Sequence, residues 1–147
     1  MARHEHLPIY KTTYDLLIAL MHTTKNFPRE FKFTLGEKIQ NHILELLVDI
    51  YRANSAKDKR ADIISILEHV QYLNLFMRIS FDLKILTTER YAVFIEQTGS
   101  ISKQAQGWLK NAFDTTNEPE PDSCQGITGS ALLSRQRRLD ISSTKAL

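Results

Sequence analysis

Little in this 147-residue chain points to bond-making chemistry, and the gaps are specific. A single cysteine, Cys124, cannot close an internal disulfide or build a thiolate metal cluster alone, so a reducing compartment is the expected setting. Five glycines are scattered (Gly36, Gly99, Gly107, Gly126, Gly129), and none has the company a phosphate-cradling loop requires. No apolar run approaches the roughly 20 residues that span a bilayer, and Met1-Ala2-Arg3-His4-Glu5-His6 lacks the apolar core of a secretory signal. The expectation is a cytoplasmic protein without a membrane partner. No serine sits in a nucleophile elbow, and the repeated Glu-x-x-His of a di-iron bundle is missing. His4 and His6 lack further ligands, and His22, His42 and His69 fall on three different helical segments, so neither a metal nor a cofactor is expected.

What the chain does have is helical period, without any alternating run of the kind that marks a strand. A first helix is expected from Pro8 to Asn26, with Tyr10, Tyr14, Leu17 and Met21 as its stripe and Pro8 suited to its start. A second runs from Leu35 to Asn54 on Leu35, Ile39, Ile43, Leu46 and Ile50, after a Thr-x-x-Glu start signal at Thr34 and Glu37. A third spans Asp58 to Leu86. A fourth, after Thr87 or Thr88, carries Tyr91, Ile95, Thr98, Ile101, Ala105, Trp108 and Ala112. Short linkers make successive helices antiparallel neighbours, which gives an all-α, up-down-up-down antiparallel four-helix bundle over residues 1–113. From Asp114 the chain turns acidic and Pro-rich, then Gly- and Ser-bearing, and 114–147 reads as a flexible tail. Within it, Ala131 to Leu139 has the pattern of a short basic amphipathic helix, though a solvated charge run explains it more simply.

The third helix is apolar around most of its circumference from Leu73 onward, leaving a polar strip through Asn74, Arg78 and Asp82. One stripe suffices for a monomeric bundle, so a second apolar face predicts a homo-oligomer contact through Leu73, Phe76, Met77 and Phe81, the alternative being that this helix is the most central of the four. Asp82 is expected to pair with Arg78 one turn earlier. Gly36 and Gly107 are read as points of close helix approach.

Charge is a matter of placement. Residues 1–113 hold 15 Lys/Arg against 12 Asp/Glu, and residues 114–147 hold 4 against 5, too mild an imbalance to argue for nucleic acid unless clustered. Clustering is present. Lys25, Arg29, Lys32 and Lys38 surround the first turn, interleaved with Phe27, Phe31 and Phe33, while Lys57, Lys59 and Arg60 mark the second turn with Arg52 one helical turn inside. An antiparallel bundle sends these two groups to opposite ends. A ring of several copies would multiply the weak contacts each bundle makes with a polyanion.

Leu7-Pro8-Ile9-Tyr10-Lys11, Tyr14-Asp15-Leu16-Leu17, the run Asn26 to Lys38 (NFPREFKFTLGEK), Ile50-Tyr51-Arg52-Ala53-Asn54 and Gly107-Trp108-Leu109-Lys110 together resemble a bacterial four-helix-bundle family. That family contains the accessory variability determinant of diversity-generating retroelements, and its superfamily includes proteins encoded by intervening sequences of large-subunit ribosomal RNA genes. The resemblance covers residues 7 to 113. It implies a barrel-like homopentamer without an active site that binds the retroelement's reverse transcriptase and template RNA, with the cDNA as a candidate further ligand. Such a protein supports error-prone cDNA synthesis, with mutations at adenine, that diversifies a target gene. The alternative it leaves open is an intervening-sequence-type bundle serving as an interaction module for another partner. On this reading Arg29, Lys32 and Lys38, with Arg52, Arg78 and Lys84, are the expected polyanion or polymerase contacts. Phe27, Phe31, Tyr91 and Trp108 are candidates for base stacking, or else ordinary core aromatics.

Overall fold

A computed structural model describes residues 4–116, and every regular element among them is helical. After a short 3-10 turn at His4–His6, helix α1 spans Pro8–Lys25, α2 Arg29–Phe31, α3 Glu37–Ser55, α4 Arg60–Asp82 and α5 Thr88–Thr116. A π-helical turn, Lys32–Gly36, joins α2 to α3, so the chain winds without a break from Arg29 to Ser55 and the bundle has four rods. The compact unit holding the bundle closes at Phe113. The expected tail beyond Thr116, with the Ala131–Leu139 segment, lies outside the described residues.

The stripes of α3, α4 and α5 meet in one core that includes Ile39, Ile43, Leu46, Ile50, Ile63, Ile66, Val70, Leu73, Met77, Ile101 and Ala105. All five apolar positions expected for the second helix are buried. In α1 the stripe is rotated from the expected one. Tyr14 is exposed, Tyr10 and Met21 are half-buried, and the inward face is Ile9, Thr13, Leu16, Leu17, Leu20 and Thr24. Two threonines tolerate that face because their hydroxyls donate to carbonyls one turn back, Thr13 to Ile9 (2.7 Å) and Thr24 to Leu20 (2.8 Å). A satisfied hydroxyl removes the main cost of burying threonine and leaves its methyl for packing.

Helix boundaries differ from expectation at two places. Thr34 does not cap a helix; its hydroxyl donates to Glu30 O (3.2 Å) from within one that already began at Arg29. Pro28 makes that start possible, because its ring presets φ (−53°) and its carbonyl accepts the N–H groups of Phe31 and Lys32, both at 2.9 Å. Helix α4 stops at Asp82 rather than Leu86. Lys84 adopts φ +59° and donates its N–H to Phe81 O, and the Ile85 N–H returns to Ser80 O. These are the two bonds of a Schellman ending, with a lysine where glycine is usual. Gly107 has open space where a Cβ would stand, so it is not a point of close approach, whereas a Cβ on Gly36 would lie 3.5 Å from the Phe27 ring.

A polar cross-link also joins each pair of neighbouring rods. Gln40 Nε2 donates to Thr24 Oγ1 (2.8 Å), Ser65 Oγ to Asp49 Oδ2 (2.5 Å), Thr98 Oγ1 to Asn74 Oδ1 (2.7 Å) and the Arg90 guanidinium to Thr23 Oγ1 (3.1 Å). Apolar packing tolerates sliding by a turn; these directional bonds do not.

Candidate nucleic-acid interface

The bond from Arg90 to Thr23 places the start of α5 beside the end of α1, so the first turn and the α4–α5 turn share one end of the bundle. Lys25, Arg29, Lys32, Lys38 and Lys84 are all exposed there, and among the described residues none of them takes part in an ion pair. Lys84 joins the group because the left-handed turn ends α4 at that end. Arg78, one turn inside, is committed. Its Nε lies 3.3 Å from Asp82 Oδ2, the expected pair, and its guanidinium sits 5.9 Å from the Phe81 ring centroid. A hydrogen bond to the Tyr91 hydroxyl, and then the Asp82 charge, raise its pKa above the ordinary arginine value.

The opposite end treats its cations differently. Arg60 donates two bonds to Asp58, at 2.9 and 2.8 Å, and lies 5.7 Å from the Phe113 ring centroid. Those bonds hold the Asp58 carboxyl down to about 2. Lys59 lies over Trp108 at 5.3 Å, and Arg52 reaches Asp49 at 3.3 Å. Of the four candidates at this end only Lys57 is exposed with neither an ion pair nor a cation–π contact among the described residues.

The aromatic candidates are mostly engaged. Phe27 is buried, Phe31 half-buried, Tyr91 stacked on Phe81 at 4.7 Å between centroids, and Trp108 covered by Lys59. Phe33, interleaved with the first-turn cations but not among the residues expected to stack, has 67% of its surface exposed.

The expected contact surface of α4 needs correction. Leu73 and Met77 point into the protomer's own core, at 0% and 1% exposure, and so are not free to meet another chain. Phe76 and Phe81 are half-buried and already stack on His42 and Tyr91. The outward apolar face is instead Tyr72, Leu75, Ile79 and Leu83, at steps of three, four and four, with Leu44, Val48 and Tyr51 exposed on α3. Helical period finds both stripes of an all-round apolar helix but does not say which one faces the core.

A polar cluster between α3 and α4, centred on the buried Asp49, was not foreseen. Asp49, 2% exposed, accepts from Ser65 and Arg52, and the His69 Nε2 lies 3.5 Å from its Oδ2. His69 Nδ1 is 3.0 Å from His42 Nδ1, and the His42 ring stacks between Tyr72 and Phe76. The two Nδ1 atoms are close enough to share one proton, and which ring donates it depends on the tautomer. Desolvation, then the neighbouring His69 and Lys38, lower the His42 pKa against a smaller opposing effect of Glu45. The signal for this cluster was available in the spacing: His42 and Asp49 are two turns apart on α3, and Ser65 and His69 one turn apart on α4.

Among the described residues no group of three or more His, Cys, Asp or Glu is placed to hold a metal ion, and no helix is long and apolar enough to cross a membrane. No curated protein matches the chain. Among solved structures, the fold is similar to a protein of unknown function from the S23 ribosomal protein family of Bacteroides thetaiotaomicron VPI-5482. The TM-score is 0.64 at 15% identity, covering 69% of this chain and 95% of that one. The model of the bAvd-like family matches residues 7–112, the whole four-rod bundle up to the last turns of α5, and the chain belongs to that family.

Proposed function

We propose that this protein is a non-enzymatic accessory subunit of a diversity-generating retroelement, binding the reverse transcriptase and its template RNA to support mutagenic cDNA synthesis. Membership of the bAvd-like family over residues 7–112 carries the reading. The unpaired cations at the first-turn end, Lys25, Arg29, Lys32, Lys38 and Lys84, support it as a phosphate-binding surface. One bundle offers few such contacts, and a ring offers several sets. The apolar face Tyr72, Leu75, Ile79 and Leu83 is suited to forming that ring, for which we propose a homopentamer. The test is co-purification with the polymerase, together with cDNA synthesis in the presence and absence of this protein. The expected result is loss of template-repeat cDNA without it; normal, equally mutated cDNA in its absence would end the proposal. Solution mass should report an oligomer, and a clean monomer at micromolar concentration would remove the ring.

A further inference from the structure

Phe33 has the largest exposure of any large apolar side chain among the described residues. It sits in the π-helical turn Lys32–Gly36, which carries one more residue per turn than an α-helix, and there Leu35 and Gly36 face inward while Phe33 is left outside. Single π-turns set into α-helices are frequently found at functional sites. A shallow depression is lined by Pro28, Arg29, Glu30 and Phe33, so the ring and the Arg29 guanidinium border the same space. Lys32 adjoins it in sequence, and Lys25 and Lys38 flank the turn; all are exposed. Glu30 is the one acid in the lining, and the surrounding cations outnumber it.

An exposed aromatic face among unpaired cations matches a ligand that presents flat rings along an anionic backbone. Single-stranded nucleic acid does this; a duplex buries its base faces in its own stack. We infer that Phe33 is a base-stacking platform, with Arg29 and Lys32 holding the adjoining phosphates, and that the first-turn end therefore takes unpaired nucleotides rather than duplex. The inference rests on the proposed template-RNA contact and narrows it to single strands.

The full-length protein is titrated by fluorescence anisotropy with unstructured oligo-rU, with oligo-dT, and with a hairpin duplex of equal phosphate number. Phe33→Ala should weaken single-strand binding by about 5- to 100-fold and leave duplex binding and the salt slope nearly unchanged. Phe33→Trp should restore affinity, and Phe33→Leu, which keeps apolar area without a π face, should not. Equal losses on oligo-rU and oligo-dT assign the ring to any single strand; a loss confined to oligo-rU assigns it to template RNA. Because Phe33 is exposed, each variant should melt with the wild type. Steeply salt-dependent binding that Phe33→Ala does not alter would overturn the stacking role alone. No oligonucleotide binding by the wild type would overturn the RNA contact as well. A drop in oligomer mass on Phe33→Ala, at unchanged affinity per subunit, would show the ring to be a contact between copies and overturn the inference.

Discussion

The two ends of the bundle carry similar numbers of candidate cations and present them oppositely. At the second-turn end Arg52 and Arg60 are ion-paired with Asp49 and Asp58, and Lys59 and Arg60 lie over the rings of Trp108 and Phe113. At the first-turn end Lys25, Arg29, Lys32, Lys38 and Lys84 face water unpaired among the described residues. On the proposed function, availability rather than number is what makes the first-turn end the binding surface. Exposed pairs contribute little stability, but they lower the local potential that a polyanion meets.

Removing the anchor of the paired end should have the largest effect. Asp49→Ala deprives Ser65, Arg52 and His69 of their shared acceptor inside the α3–α4 interface. Ser65 and His69 are partly buried and Arg52 is exposed, so losing the shared acceptor costs on the order of 1–3 kcal/mol, which urea denaturation would register as a lower midpoint with an unchanged slope. An unchanged midpoint would mean water satisfies the cluster, and the second-turn end is then less rigid than its contacts suggest. Next in size is the direct comparison of the ends by charge reversal. Arg29→Glu with Lys32→Glu should reduce oligonucleotide affinity by at least about tenfold near 0.1 M salt and flatten the salt slope by about two. Lys59→Glu with Arg60→Glu should change affinity by less than about threefold, since both side chains are already engaged; equal losses from the two double variants would erase the distinction.

Lys84 joins stability to binding at one residue. Its positive φ costs an L-residue about 1 kcal/mol that glycine does not incur, so Lys84→Gly should raise stability by roughly 0.5–1 kcal/mol. The same change removes one free cation from the first-turn end. A more stable protein that binds polyanions slightly less well is the expected outcome, and a less stable one would show that the lysine's favourable position at the C-terminus of α4 outweighs its backbone cost.

The four rods and the cation clusters were legible in the sequence because both depend on local order: a period of 3.6 and the proximity of like charges. What was illegible depends on pairing across helices. Thr13 and Thr24 read as polar yet lie in the core, since their hydroxyls are satisfied one turn back. Leu73 and Met77 read as a spare face because the partner stripes are supplied by other segments. Thr34 and Glu37 had the letters of a helix start, but Pro28, six residues earlier than Thr34, had already supplied one. Of the interface, the residue types were visible, and Asp58 and Asp49 stand only two and three residues from the cations they pair with; the contact of Lys59 with Trp108 was not visible, because it joins residues brought together only by the fold.

The smallest effect expected is also the most informative about the α3–α4 contact. His42 has a lowered pKa in the folded state, caused first by desolvation and then by His69 and Lys38. The unfolded chain therefore takes up this proton at a higher pH than the folded one does, near the ordinary value of about 6.5. Stability from this group is fully present above that value and is lost as pH falls through the folded pKa. Geometry points the same way, since the 3.0 Å approach of His42 Nδ1 to His69 Nδ1 needs one nitrogen without a proton and admits at most one positive charge between the rings. Thermal midpoints should thus fall modestly between pH 7.5 and 5.5, and the fall should shrink in His42→Phe, which keeps a ring against Tyr72 and Phe76 but has nothing to titrate. If the variant shows the full acid response, the proton enters elsewhere. Should the response vanish, the pair is a contact that acid opens on the side of the bundle carrying Tyr72, whose exposed face continues through Leu75 and Ile79, and any assembly through that face would then weaken with acid while the free cations of the first-turn end keep their charge.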